Sequence, residues 1–445
     1  MILLTAPAVV PGHAALKITR ETTVRCPSLV KRYTEDLQHG GEGMGKKMAG
    51  MGILSMLLWG SPALGADNAA LEQQVQELFR QNQQMAERIR QLEEVLAKQT
   101  EEDKATEEKT AEKAEEQQPL LHVINEHVAL SGRVEVEATS SKDFDGIENS
   151  DVTLATVEIG LQTALSDWSS ARLLLLYEEG EEDNHLIVDE GVITLGNMEK
   201  FPFYLVAGKM YLPFGFYESS MISDPLTLEL GETNDSAAQV AFNAAGFYGS
   251  VYGFNGDINE TGEDDKIDSW GADIGYGYEI EGFCLEAGID WINNIGDTDA
   301  VGDYLLDDVS IDAIDDYVDG LAAHAAFSLG PFRLIGEYVT ALDEFDVAEI
   351  DFDGQGAEPE AMIFEVNYTT QLFSRETVFA LGYQTTDEAL ALGLPEKRYL
   401  GAVNICLFDH TLLAFEYLHD EDYDENKGGT GKDGHAATVQ LAVEY

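Results

Sequence analysis

From about residue 128 to the C-terminus, apolar and polar positions alternate in roughly sixteen separate stretches. The last is the plainest: Ala437, Val439, Leu441, Val443 and Tyr445 take every second position. Successive side chains of a strand point to opposite faces, so each stretch reads as a strand with one apolar side. Phe283, Leu285, Ala287, Ile289 and Trp291 share one face, while Glu286 and Asp290 share the other. Phe332, Leu334 and Tyr338 oppose Arg333 and Glu337 in the same way, and Leu413, Phe415 and Tyr417 oppose Glu416. The expected strands lie near 128–139, 152–165, 170–178, 185–196, 201–211, 237–245, 246–254, 269–280, 283–293, 320–328, 331–341, 361–372, 376–385, 397–408, 411–418 and 435–445.

Two kinds of connection rotate between them. Ser166-Asp167-Trp168, Gly196-Asn197, Glu281-Gly282, Gly330-Pro331 and Asp409-His410 mark short turns. The long connections fall near 140–151, 212–236, 255–268, 294–319, 342–360, 386–396 and 419–434, and residues 294–319 alone hold nine Asp. A soluble antiparallel sheet also alternates, but rarely with short and long connections in rotation and no apolar helix. That combination is how a chain crosses an outer membrane by strands. The expected fold class is an all-β transmembrane barrel, antiparallel, of about 16 strands, with apolar faces toward lipid and charged faces toward the lumen. An even count puts both barrel ends on the periplasmic, short-turn side. A ring of this size leaves an aqueous channel, where a much smaller one is filled by side chains.

Upstream the period changes. Leu71, Val75, Leu78, Asn82, Met85, Ile89, Leu92 and Leu96 form a heptad seam, so residues 66–99 read as a short α-helical coiled coil, placed in the periplasm before the first strand. Through it the chain is expected to form a homo-oligomer, with Asn82 at an a position fixing register. Residues 100–127 are a charged, acidic spacer with few large apolar side chains. Before the coiled coil, Lys46 and Lys47, the apolar run from Met48 to Trp59 and the small residues Ala63-Leu64-Gly65 make residues 44–65 a secretory signal peptide. Signals start at the N-terminus, so residues 1–43 read as an upstream extension from a start codon placed too early, with Met44 or Met48 the true initiator. Residues 128–445 are the outer-membrane barrel.

Composition sharpens this picture in one respect. The chain has 26 Lys+Arg against 83 Asp+Glu, a net charge of −57. Nucleic-acid binding needs a basic face and is excluded as a class. The acidic loops are expected to attract divalent cations, Ca²⁺ or Mg²⁺, that also bridge lipopolysaccharide phosphates. Hydrophobic residues, at 44%, are too many for a disordered chain.

No set of residues points to catalysis. The nine histidines have no metal-ligand spacing and no Ser lies in a nucleophile-elbow motif, so the chain is not expected to be an enzyme and needs no cofactor. Asp189 and Glu190 are adjacent, so in a regular strand they point apart and cannot act as a pair. Arg133, Arg172, Lys209, Arg333 and Arg398 fall in lumen phase with Glu158, Glu365 and Glu416. Either the cations form a basic ladder, or each pairs with such a carboxylate and sets only the pore's electrostatics; the pairing is favoured. Cys284 and Cys406 are also in lumen phase, on the ninth and fourteenth strands, too far apart around the ring for a disulfide. Asp420, Asp422 and Asp424 alternate as a weak candidate cation site that lacks the Gly and Glu of an EF-hand.

The connection 212–236 is more apolar than its neighbours. Pro213 ends the strand before it, Gly215 supplies a turn, and Asp224, Glu229 and Glu232 are its charged members. It either folds into the lumen and narrows it or packs on the other loops outside.

At this stretch the sequence resembles the LbtU-type siderophore porins. The similarity is most specific in Val188-Asp-Glu-Gly-Val-Ile-Thr-Leu-Gly-Asn197, Ala207-Gly-Lys-Met-Tyr-Leu-Pro-Phe-Gly215 and Ile222-Ser-Asp-Pro-Leu-Thr-Leu-Glu-Leu-Gly-Glu-Thr233. It extends to the layout of signal, coiled coil, acidic spacer and barrel. The resemblance implies an outer-membrane porin through which a ferric siderophore, or a similar small solute, diffuses without a TonB-dependent plug. An anionic siderophore would be repelled by so acidic a protein. A general cation-preferring porin, and a barrel that anchors the coiled coil to a periplasmic partner, therefore stand beside it as alternatives.

Overall fold

The computed structural model describes residues 128–179, 185–198, 200–262 and 266–445. The upstream extension, signal peptide, coiled coil and spacer lie outside the described residues.

Sixteen strands close into one antiparallel barrel. They are β1 (Val128–Lys142), β2 (Glu148–Ser166), β3 (Ser169–Tyr177), β4 (Ile187–Gly196), β5 (Phe203–Tyr211), β6 (Asn234–Ala244), β7 (Phe247–Phe254) and β8 (Ser269–Ile280). The ring continues with β9 (Phe283–Ile292), β10 (Gly320–Leu329), β11 (Phe332–Ala341), β12 (Glu360–Leu372), β13 (Arg375–Asp387), β14 (Lys397–Phe408), β15 (Thr411–Glu421) and β16 (Asp433–Glu444). Each pairs with its sequence neighbours, and β16 closes the ring on β1 with Leu441 opposite Val136. At the seam, Gly132 and Tyr445 exchange two backbone hydrogen bonds of 3.0 Å, so the terminal residue completes the ladder. Closure removes every sheet edge, which alone allows strands to span an apolar medium.

Alternation decides which face looks out. Leu381, Ile193 and Ile289 are 69%, 57% and 56% exposed on the outside, whereas Glu365 and Asp290 are 2% exposed inside. Aromatic pairs stand on the outer face near the strand ends, including Trp270–Trp291 and Phe332–Tyr368 with ring centroids 4.5 and 5.1 Å apart. A cation on this belt should be costly. Leu381→Arg is expected to destabilise the barrel by about 2–4 kcal/mol. Loss of the compact band that a folded barrel gives on unheated gels would show it, and an unchanged band would argue that the outer face is not lipid-facing.

Two irregularities mark the pairing of β4 with its neighbours. Leu174 pairs with Glu190 and Leu175 with Val188, which leaves Asp189 as an extra, bulged residue. The bulge breaks the alternation, so Asp189 and Glu190 are both buried rather than pointing apart, contrary to the expectation from a regular strand. Gly208, at φ 138°, lets β5 approach β4 closely: a Cβ there would lie 2.0 Å from the Gly191 carbonyl oxygen.

On the long-loop side, connections from several strand pairs pack on one another. Leu226 and Leu230 of the short helix α1 (Leu226–Gly231) share an apolar core with Ile258, Ile295, Val301 and Leu305. The core extends through α2 (Asp299–Asp303) and the turn after it to Ile314, Phe345 and Ile350. Acidic loops that would repel as free coils are thus ordered around buried aliphatic side chains. Asp297 ties two of them together, accepting from Asp257 N (3.0 Å), Ile258 N (2.9 Å) and Ser269 Oγ (2.6 Å).

Candidate pore constriction

Residues 212–233, between β5 and β6, turn inward and run along the lumen wall. The expected boundary of 236 shifts because Asn234–Ser236 belong to β6. The inward course is set by side chains of lumen phase. Asp290 of β9 accepts from Gly215 N at 3.0 Å. Glu337 of β11 accepts from Phe216 N, from Tyr217 N at 2.9 Å and from Thr227 Oγ1 at 2.9 Å. Glu365 of β12 takes Ser219 Oγ (2.7 Å) and Ser220 N (2.8 Å). Glu416 of β15 takes Ile222 N (2.5 Å), Ser223 N (3.2 Å) and Ser223 Oγ. Gln384 of β13 accepts from Leu226 N (2.9 Å), and Asn404 of β14 donates to the Ser220 carbonyl (2.7 Å).

The arrangement has a period of three. Residues 216 and 217, then 219 and 220, then 222 and 223 each donate to one carboxylate, through backbone N–H groups and the hydroxyls of Ser219 and Ser223. An extended segment with unpaired donors would be costly inside a barrel, and ionised carboxylates are the strongest acceptors for them. Phe216 stacks on His324 of β10, centroids 4.3 Å apart at 8°. Tyr217 sits at φ 54°, a left-handed conformation unfavourable for a bulky residue, held by the Glu337 contacts. Gly215 (φ 88°) is needed where a Cβ would meet the Tyr217 ring.

The other constriction-loop candidates take distinct places. Pro213 is buried at the strap's start, where its missing donor is no loss. The Asp224 carbonyl accepts from Arg398 Nη1 at 3.4 Å. Glu229 lies in the first turn of α1. Glu232 is buried, its carbonyl accepting from Asp299 N at 2.8 Å; burial, with Asp299, Asp224 and Glu229 nearby, pushes its carboxyl well above the usual range.

The lumen cations form no ladder among the described residues; they pair locally. Arg133 Nη1 lies 3.7 Å from Glu158 and 3.8 Å from Glu135, Arg172 lies 3.1 Å from Glu190, and Arg398 holds Asp420 at 2.9 and 3.1 Å. Arg333 bonds Glu218 of the strap and Ser328 Oγ. Two expectations need correction. Glu365 and Glu416 hold the strap's backbone rather than arginines. Lys209 is not in lumen phase: it pairs with Gly191 and Ser236 and shares its face with Leu205 and Ala207, outside the barrel.

Asp420, Asp422 and Asp424 do not converge either. Asp420 belongs to Arg398, Asp422 accepts from Tyr423 N and from Thr430 N and Oγ1, and Asp424 precedes the turn Glu425–Lys427. Among the described residues no group of three His, Cys, Asp or Glu side chains is disposed to hold a metal ion. Cys284 is a free thiol.

Burial pushes the carboxyls of Asp297 and Asp299 up to about 6, both outside the strands. An aspartate raised in the folded state binds its proton more tightly there than in the opened loop. Ionisation therefore weakens the closed loops as pH rises from about 4 through about 6. Amide exchange in residues 255–319 is expected to be slower at pH 5 than at pH 7.5, after correction for intrinsic rates; faster exchange at pH 5 would refute this.

Asp290, Glu337, Gln384 and Asn404 were legible only as lumen-phase residues. What the sequence did offer was a recurrence: a carboxylate or amide near the middle of most strands from β9 to β15, facing a lumen that needs no such regularity.

Comparison with known proteins places the chain among barrels of this kind. No family model matches it. A UPF0422 protein of Coxiella burnetii is 30% identical over 322 residues, covering 70% of this chain and 68% of that protein. A UPF0422 protein of Legionella pneumophila is 29% identical over 354 residues, covering 72% of this chain and 66% of its own length, just under two thirds. Among solved structures, the porin OprB of Pseudomonas putida superposes with a TM-score of 0.53 at 8% identity, over 73% of this chain and 96% of OprB. The outer membrane channel DcaP of Acinetobacter baumannii gives 0.49 at 14% identity, over 72% of this chain and 97% of DcaP. What the likeness to OprB shows is the fold, a closed antiparallel barrel.

Proposed function

The chain belongs to the UPF0422 proteins, and from its porin-type barrel we propose that it is an outer-membrane channel through which a small hydrophilic solute diffuses, with no chemistry performed. The observation that carries this reading is the strap 212–233 bound along the lumen wall. A barrel that served only as an anchor would have no use for a segment that sets a bore. Selectivity then comes from the aperture beside the strap and the charges around it, among them the Arg133–Glu158 and Arg172–Glu190 pairs. Lipopolysaccharide surrounds the long loops, and the N-terminal coiled coil lies in the periplasm and joins copies of the chain.

Within this reading, a ferric siderophore is the cargo suggested by the resemblance of residues 188–233 to the LbtU-type porins. The acidic excess favours a second reading, a general cation-preferring porin, because a net charge of −57 draws cations to both mouths. Purified protein in planar bilayers should give stepwise conductance, and none from correctly folded protein would defeat the channel. Reversal potentials separate the two cargoes: strong cation preference without siderophore-dependent block supports the general porin. A strain lacking the gene, starved of iron and given its own ferric siderophore, should regain growth with plasmid-borne protein if the siderophore is carried. Equal growth with and without the protein would remove that cargo.

A further inference from the structure

The outer face of β5 to β9 is not smooth. An apolar groove of about 530 Å³ crosses it, walled by Phe203, Phe242, Ile289 and Trp291. Val240, Val251 and Ile274 also line it, and Ala272, in the same ladder row as Trp291, gives it depth. The next row toward the long loops is small over β5 to β7, with Ala207, Ala238 and Gly253 side by side, and continues on β8 at Trp270. The row beyond it holds Lys209 opposite Ser236.

Lys209 is unusual for its place. Among the described residues, the other cations of outward phase, Lys142, Arg375 and Lys397, are first or last in their strands. Lys209 lies two residues inside the end of β5. A cation on a lipid-facing strand is costly at the midplane and tolerated toward the interface, where an anionic headgroup can meet it. Asp189 and Asp299 are within electrostatic reach and offset part of its charge. Asp189 accepts from Tyr211 Oη at 2.8 Å and Asp299 from Asn234 N at 3.1 Å. The ammonium has three donors, and its strand position is of outward phase near the long-loop end of β5.

We propose that this surface is a binding site for one phosphorylated, multiply acylated lipid of the outer leaflet: a phosphate meets Lys209 while an acyl chain descends the small-residue valley into the groove between Phe242 and Trp291. The charge lies near the long-loop end of β5, and the trough runs from Trp291, near the long-loop end of β9, toward Phe203 and Phe242 at the short-turn ends of β5 and β6, a course that suits the two halves of such a lipid. A second copy of the chain is the alternative occupant that the test separates from a lipid. The site rests on the barrel spanning the outer membrane, but not on what the channel carries.

The test uses protein purified from outer membranes in mild detergent, with native mass spectrometry before and after adding bisphosphorylated hexa-acyl lipid A or its dephosphorylated form. The wild type is expected to keep one lipid A per chain through detergent exchange. Lys209→Gln should weaken retention of the phosphorylated lipid by about tenfold while leaving the dephosphorylated form unaffected. Ala272→Phe, which fills the trough, should weaken both. Heat-modifiable gel migration and conductance report on folding and the channel independently, so loss of the channel reading leaves this result readable. Wild-type retention in both variants would overturn the site. So would equal binding of the two lipid forms by the wild type, or an Ala272→Phe effect confined to the oligomeric state.

Discussion

Replacing Glu337, Glu365 and Glu416 together by alanine is expected to release the strap and raise single-channel conductance severalfold. Each carboxylate accepts at least two hydrogen bonds from residues 216–227. Hydrogen bonds to a charged group contribute about 1.5–3 kcal/mol each, so the three anchors outweigh any single apolar contact of the segment. The single variants should act partially, with Glu337→Ala the strongest, because that carboxylate also holds Tyr217 in its left-handed conformation and bonds Thr227 Oγ1. The ring itself should survive, since its ladder runs through backbone groups that these side chains do not touch. Recordings in planar bilayers would decide the matter. An unchanged conductance in a folded triple variant would mean that the strap does not set the aperture.

Leu230→Asp is expected to open the loop assembly while sparing the strands. Leu230 is fully buried in the apolar core that joins α1 to the long connections. Burying an unpaired carboxylate there, beside already acidic loops, costs several kcal/mol more than the loops gain by closing. Limited proteolysis should cut within residues 255–319 or 342–359 in the variant and not in the wild type, and open-channel noise should rise as the loops fluctuate over the mouth. Leu230→Met separates packing from charge: it should leave both readouts near wild type. A protease pattern equal in all three proteins would show that the loops are held otherwise than through this core.

The sequence by itself determined the ring. Strand number, the identity of the outward face and, to within about three residues, nearly every strand boundary follow from period two, a local property that each residue reports for itself, as in Phe283 to Trp291 or Leu413 to Tyr417. The family resemblance also drew attention to residues 188–233, where the strap proved to lie. The tertiary structure alone decided where that segment goes. Its anchors are backbone N–H groups, which every residue but proline carries, meeting carboxylates 121 residues away at Glu337 and 194 away at Glu416. No side-chain pattern marks such partners, so Glu365 and Glu416 looked like counter-ions for arginine. Asp189 and Lys209 went astray for a related reason. A single bulged residue, or a phase carried one position too far, reverses the face of a strand, and only the ladder across to Leu174, Gly191 and Ser236 fixes it. Periodicity is written in one strand at a time; register, and with it which charge faces which partner, exists only between strands.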